Sequence, residues 1–301
     1  MKPATVSHLK RAHLDPTPVE ALVRAALAED HAAYDVTSIA TVPAGLTATG
    51  EVVARAAGVV AGLAVASTVL DAVTQGIAEV ELVVAEGAVV APGTVVLRVR
   101  GPVRLLLAGE RTALNLLCHL SGVATLTRAW VDAVAGTGAV VRDTRKTTPG
   151  LRMLEKAAVV AGGGANHRMS LADAALVKDN HVVAAGGVVP AFAAVRARFP
   201  DLAVEVECDT VEQVVEVVAA GADLVLLDNM SLAELRASVA VCRAAGVRAE
   251  ASGGLTLATA AEVAATGVDF ISVGALTHSA PVLDLGLDLV LDPVPVPGAV
   301  G

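Results

Sequence analysis

The sequence predicts an α/β protein in which a small N-terminal α/β unit precedes a barrel-like array of strand and helix repeats. Six short Val/Leu-rich runs recur at 139–143, 175–179, 203–207, 224–228, 247–251 and 270–274, with helix-patterned segments between them. Strands alternating with helices of this length indicate βαβ units and a parallel sheet. The runs also end in chemically capable groups: Asp143-Thr144-Arg145-Lys146, Lys178-Asp179-Asn180, Glu207-Cys208-Asp209, Asp228-Asn229, Ser252-Gly253-Gly254 and Gly274. In a parallel α/β barrel the active site is built at the C-terminal ends of the strands. Polar residues are common where chains turn, but a Lys or Glu still inside an apolar run is less well explained that way.

In chain order, residues 18–30 carry apolar side chains at helical spacing, with Thr17 as N-cap and Pro18 at the first helical position. Residues 47–55 and 78–84 alternate as strands around a helix at 63–74. The stretch EGAVVAPGTVVLRVRGP reads as two short strands around Pro92-Gly93. Alone it suggests half of a lipoyl-type carrier sandwich, but no lysine occurs between Arg11 and Arg145 to be acylated. Residues 105–134 read as two helices broken near Ser121-Gly122, and Gly162-Gly163-Gly164 as either a ligand loop or a helix stop.

Composition removes several classes. Of 301 residues 54% are hydrophobic, yet the longest uncharged windows contain Asn, His, Gly or Pro and fall short of the roughly 18 apolar residues of a membrane span. The N-terminus lacks the apolar core of a secretory signal, so the cytoplasm is the expected location. Cys118, Cys208 and Cys242 have neither even number nor CxxC spacing, against a disulfide framework or zinc site. A net charge of −9 argues against nucleic acid or anionic lipid as the main partner.

Within this anionic chain, three of five lysines fall between positions 146 and 178, and Arg145, Lys146, His167, Arg168 and Lys178 form a cationic set. Screening over about 8 Å lets such a pocket dominate its own cleft. Arg suits carboxylate or phosphate as a bidentate fork and Lys as a point charge, so the expected ligand carries several negative charges. A solvated basic face is the plainer alternative. Ser252-Gly253-Gly254 can present amides to phosphate at the start of the next helix. Glu207 and Asp228, at adjacent strand ends, suit Mg²⁺ or a structural salt bridge to the lysines.

The strings DTRKTTPGLR (143–152), GGGANHRMSLADAALVKDNH (162–181), EVECDT (205–210), LLDNMS (226–231), EASGG (250–254) and ISVGALTHS (271–279), with ERTALNLLCHLSG (110–122), closely resemble the quinolinate phosphoribosyltransferase family, in order over about 105–290. The resemblance implies an α/β-sandwich domain over 1–117, completed by about 278–301, and an open α/β barrel over 118–277, the type II phosphoribosyltransferase architecture. It implies a Mg²⁺-dependent pentosyltransferase of NAD biosynthesis that converts quinolinate and phosphoribosyl pyrophosphate to nicotinate mononucleotide, pyrophosphate and CO₂. It also implies a head-to-tail homodimer in which Arg111 enters the partner's site. Thr144, Arg145, Lys146, His167, Arg168 and Lys178 would bind the two substrates, and Glu207 and Asp228 would face the ribose and Mg²⁺. Ser252, Gly253, Gly254, Ser272, Val273 and Gly274 would hold the 5′-phosphate. Lys146, Lys178, Glu207 and Asp228 are the expected catalytic groups.

Ser170, Ala157 and Cys118-His119 depart from the family's usual residues without removing a charge of the core set, and Ser170 could tighten the loop that carries His167 and Arg168. Other chemistries remain open on the residues alone. A related phosphoribosyltransferase could act on another acid without decarboxylation, and a barrel aldolase could use Lys178 as a Schiff-base nucleophile. The carrier reading keeps little support.

Overall fold

A computed structural model describes residues 1–292, so the expectation of an extended, solvated PVPVPG tail (293–298) lies outside the described residues. In chain order the elements are α1 (Pro3–Arg11), α2 (Pro16–Glu29), α3 (Val36–Thr41), β1 (Thr47–Ala54), β2 (Gly58–Val59), α4 (Leu63–Val73), β3 (Glu79–Leu82), β4 (Val89–Val90), β5 (Val95–Pro102) and α5 (Val103–Ala133). There follow β6 (Val140–Arg142), α6 (Arg152–Ala161), β7 (Ala175–Val177), α7 (Asp179–Ala185), α8 (Val188–Arg198), β8 (Val204–Cys208), α9 (Val211–Ala219) and β9 (Leu224–Asp228). The chain continues through α10 (Leu232–Ala244), β10 (Arg248–Ser252), α11 (Ala260–Ala264), β11 (Phe270–Ser272), α12 (Ala275–His278) and β12 (Leu285–Leu291). Among the described residues no helix is long and apolar enough to cross a membrane.

The described residues divide into two compact units, one of residues 1–125, 153–162 and 280–292, the other of 126–152 and 163–279. The boundary between them falls inside α5, and most of α6 joins the first unit. In that unit an antiparallel sheet runs in the order β12-β1-β5-β3, so a strand from the far end of the chain pairs with β1 along 285–291. Helix α4, buried from Leu63 to Asp71, packs on β3 and β5, and α1 and α2 pack on α4. The strands either side of Pro92-Gly93 do not pair with each other: β4 pairs with β2, and β5 with β1 and β3.

Two local expectations need correction. Helix α2 starts at Pro16, not Pro18, with Asp15 accepting from the Thr17 amide at 3.0 Å. Asp is a stronger N-cap than Thr, and Pro16 then occupies the first helical position. Helix α5 is a single 31-residue helix rather than two broken near Ser121-Gly122. Gly122 serves a close approach, not a break: a Cβ there would lie 2.1 Å from the Pro281 carbonyl oxygen, where the returning chain crosses the helix.

In the second unit all six predicted runs are strands of one parallel sheet, ordered β6-β11-β10-β9-β8-β7. The first strand lies beside the last, so the barrel is open between the consecutive strands β6 and β7. Ala165 makes a one-residue parallel bridge with Arg142 along the outer edge of β6. The Ala165 amide donates to Val141 O at 2.9 Å and the Asp143 amide to Ala165 O at 3.2 Å, so the 163–168 segment runs where a further strand would begin.

Gly122→Ala is expected to destabilise the protein by about 1–3 kcal/mol, the usual cost of overpacking a close contact. Denaturant unfolding measures this, and a wild-type midpoint would contradict the crossing at Pro281.

Candidate active site

Strand periodicity builds the site in two layers. Successive side chains of a strand point to opposite faces, so residues two apart share one. The pocket layer contains Thr144, Lys178, Glu207, Asp228, Ser252 and Ser272, all at or just beyond strand C-termini. Two residues earlier on the same strands stand Arg142, Leu176, Glu205, Leu226, Glu250 and Phe270. The cavity at this mouth is about 500 Å³ and is also lined by Arg145, Lys146, His167, Arg168, Asn229, Gly253 and Gly254.

Two loops supply most of the cationic charge. Asp143, fully buried, accepts the His167 amide at 2.8 Å and so joins the loop after β6 to the segment bridged at Ala165. Arg152 fastens them again, donating from Nε to Thr147 Oγ1 at 3.0 Å and from Nη1 to Met169 O at 3.3 Å. Thr277 Oγ1 donates to Lys146 O at 2.8 Å, anchoring that lysine's backbone from α12. Arg168 donates from Nη1 to Ala174 O at 3.1 Å. Burial, and secondarily the neighbouring Arg145 charge, lower the proton affinity of Arg168, so an anion seated here would relieve both penalties. Arg145 Nε is buried without an acceptor, which leaves a donor for a ligand.

Lys178 Nζ lies 3.1 Å from Glu207 Oε2. The lysine side chain is 47% exposed, a wet, ion-paired amine rather than the desolvated one that Schiff-base chemistry needs. Asp228 accepts from Asn229 Nδ2 at 2.5 Å. Asn229 is itself left-handed, with φ 54°. Gly253, at φ +84°, faces it so closely that a Cβ would lie 2.7 Å from the Asn229 amide nitrogen, so only glycine fits this part of the lining.

Most expected site residues meet here, with several differences. Lys156, which is not one of the expected cationic set, is fully buried on α6, so Lys146 and Lys178 are the lysines of this stretch that reach the cavity. His167 lines the cavity but has both ring nitrogens engaged, Nε2 2.7 Å from Glu205 Oε2 and Nδ1 accepting the Arg168 amide at 2.7 Å. The Ser272 hydroxyl is spent on Glu250. Val273 is buried outside the lining, and Gly274 is the N-cap of α12. Ser252-Gly253-Gly254 does not open the next helix, because residues 255–259 intervene before α11. Gly162 and Gly163 follow the last residue of α6 as a helix stop. Arg111 is exposed on α5 in the first unit. Leu176, Leu226 and Asn229 are additional lining residues.

Ser170 does tighten its loop. Asp173 accepts from the Ser170 hydroxyl at 2.7 Å, the Ser170 amide at 2.7 Å and the Met169 amide at 2.6 Å. These bonds, the hydroxyl first, hold the Asp173 carboxyl far below its ordinary range. Their contribution is therefore present above the unfolded carboxyl's pKa and is lost as pH falls through the folded one.

Residues 35–121 match the family described as Quinolinate phosphoribosyl transferase, N-terminal domain, and residues 123–288 its C-terminal domain. A curated Mycobacterium leprae protein named nicotinate-nucleotide pyrophosphorylase [carboxylating] is 52% identical over 272 residues, covering 89% of this chain and 95% of that protein. The Homo sapiens protein of the same name is 45% identical over 251 residues, covering 81% and 83%. The crystal structure of NadC from Streptococcus pyogenes superposes with a TM-score of 0.88 at 38% identity, covering 93% of this chain and 99% of that one.

Replacing Ser170 by Ala is expected to raise the Asp173 carboxyl toward the usual carboxylate range. Carboxyl-carbon NMR titration follows that shift, and an unchanged titration would show that the hydroxyl contributes nothing.

Proposed function

The chain belongs to the quinolinate phosphoribosyl transferase family, and from that premise we propose that it transfers the phosphoribosyl group of phosphoribosyl pyrophosphate to quinolinate with decarboxylation, giving nicotinate mononucleotide. The observation that carries the proposal is the convergence of Arg145, Lys146, Arg168 and Lys178 with Glu207 and Asp228 in one cavity at the strand C-termini. A dicarboxylate and a pyrophosphate together supply the negative charge that such a mouth lacks.

The quinolinate nitrogen donates its lone pair to C1 of the ribose, and the C1–O bond breaks with its electron pair leaving on pyrophosphate. The transition state is oxocarbenium-like, so catalysis is chiefly positioning and electrostatic stabilisation of the leaving group. The pyridine nitrogen becomes positive, and the adjacent 2-carboxylate departs as CO₂. Its bonding pair stays at C2 as an ylide stabilised by that charge until a proton adds. A guanidinium fork on the other carboxylate decides which of the two remains.

Mg²⁺ is part of this proposal. Glu207 and Asp228 are hard oxygen donors on the adjacent strands β8 and β9, both in the cavity, as a Mg²⁺ ion held by one or two carboxylates and substrate phosphates needs. When bound, the ion would offset the charge gathering on pyrophosphate. A homodimer with Arg111 entering the partner's site is the assembly we infer, supported by the exposure of that arginine. Three free cysteines among the described residues favour the cytoplasm.

With quinolinate, phosphoribosyl pyrophosphate and Mg²⁺, the protein is expected to release pyrophosphate and CO₂ in equal amounts, and to stop on chelation. A folded protein that turns over neither, or that forms pyrophosphate without CO₂, overturns the assignment. Lys178→Ala and Arg145→Ala should each lose a charge-assisted contact of about 1.5–3 kcal/mol, roughly ten- to a hundredfold or more in kcat/KM.

Mixing Arg111→Ala with Lys146→Ala subunits should restore part of the activity that each variant lacks alone. No recovery in demonstrated hybrid dimers would place both residues in the same subunit's site.

A further inference from the structure

We propose that Glu205, Glu250 and His167 form a buried positioning relay that sets Arg168 for the substrate anion, with His167 acting as a neutral imidazole rather than as one of the pocket's cations. The geometry fixes the tautomer. The Arg168 amide donates to Nδ1 of His167 at 2.7 Å, and a ring nitrogen that accepts a hydrogen bond carries no proton. The proton is then on Nε2, which donates to Glu205 Oε2 at 2.7 Å and lies 3.5 Å from Glu250 Oε1.

The two carboxylates belong to the layer beneath the pocket, Glu205 4% exposed and Glu250 0%. Glu250 takes Arg142 Nη1 on Oε2 at 2.6 Å and the Ser272 hydroxyl on Oε1. The relay therefore draws on β6, β8, β10 and β11 and ends on the backbone of a pocket arginine. The Arg168 amide and one guanidinium nitrogen are held and the residue lines the cavity, so it has less conformational freedom to lose on meeting an anion, as a preorganised site requires.

The ligand atoms of these three residues lie within 4.8 Å of one another, near enough to suggest a metal site. With Nδ1 accepting the Arg168 amide and Nε2 donating to Glu205, His167 has no free lone pair to offer an ion, which argues against that use.

The role in turnover rests on the proposed phosphoribosyl transfer, but the tautomer does not, so the two are tested separately. In the full-length protein at pH 7.5, ¹⁵N imidazole spectra should show His167 as a single Nε2–H tautomer with a lone pair on Nδ1. An imidazolium, or the Nδ1–H tautomer, would overturn the relay whether or not quinolinate is a substrate.

In kinetics, Glu205→Ala should raise KM for quinolinate by about tenfold, one lost charge-assisted contact, with kcat changing less and the Nε2–H resonance of His167 shifting as its acceptor is lost. Glu205→Gln keeps an acceptor for Nε2–H and should stay near wild type in both readouts. Equal loss in Gln and Ala variants, or a fall in kcat alone, would refute positioning through His167. If the Ala variant does not fold, the wild-type spectrum and the Gln kinetics still decide.

Discussion

Glu250 has no access to water, and in this barrel it meets Arg142 across the intervening strand β11. Breaking such a buried pair by removing one partner typically costs about 3–5 kcal/mol. Arg142 is fixed on its other side by the Phe270 ring, 3.9 Å from the guanidinium carbon to the ring centroid. Burial, and then the neighbouring Glu205 charge, push the Glu250 carboxyl above its ordinary range, opposed by His167, Arg142 and the Ser272 hydroxyl. The pocket floor thus carries the carboxylates of Glu205 and Glu250 beside Arg142 and His167. Above it, Arg145 and Arg168 remain undercompensated, which gives the mouth its appetite for anions.

The strands were legible because period and length agree. Residues 224–228 were read to the residue, and the other five runs to within a few positions. The lower layer was not read, although the strings carried it: in VEVEC the two glutamates share a face, and only Glu207 reaches the cavity. The same step of two joins Glu250 to Ser252 and Arg142 to Thr144. A carboxylate two residues below a functional strand end is the signal for a second layer. Charge counting includes His167 by residue type, and the structure adds that its ring nitrogens meet Glu205 and the Arg168 amide.

Other differences arose where tertiary contact overrides a local signal. A Ser-Gly pair inside a helical pattern suggests a break, but the chain returning at Pro281 makes glycine necessary in an unbroken helix. Of the three lysines close in sequence, the cationic set leaves out Lys156, and α6 buries it, while the neighbouring Glu155 Oε1 lies 2.8 Å from His119 Nε2. Sequence proximity decides little when a helix lies between.

Among the described residues, a barrel left open between β6 and β7 ends in two edge strands, and such edges are templates for pairing with another chain. On one side β7 is only three residues long. On the other, the Ala165 bridge occupies hydrogen-bonding groups along β6. The segment that delivers His167 and Arg168 to the cavity therefore also shields a strand from self-association. Substitutions that loosen this segment carry a solubility liability separate from their effect on turnover, and aggregation in such variants would be a property of the exposed ladder rather than of the pocket.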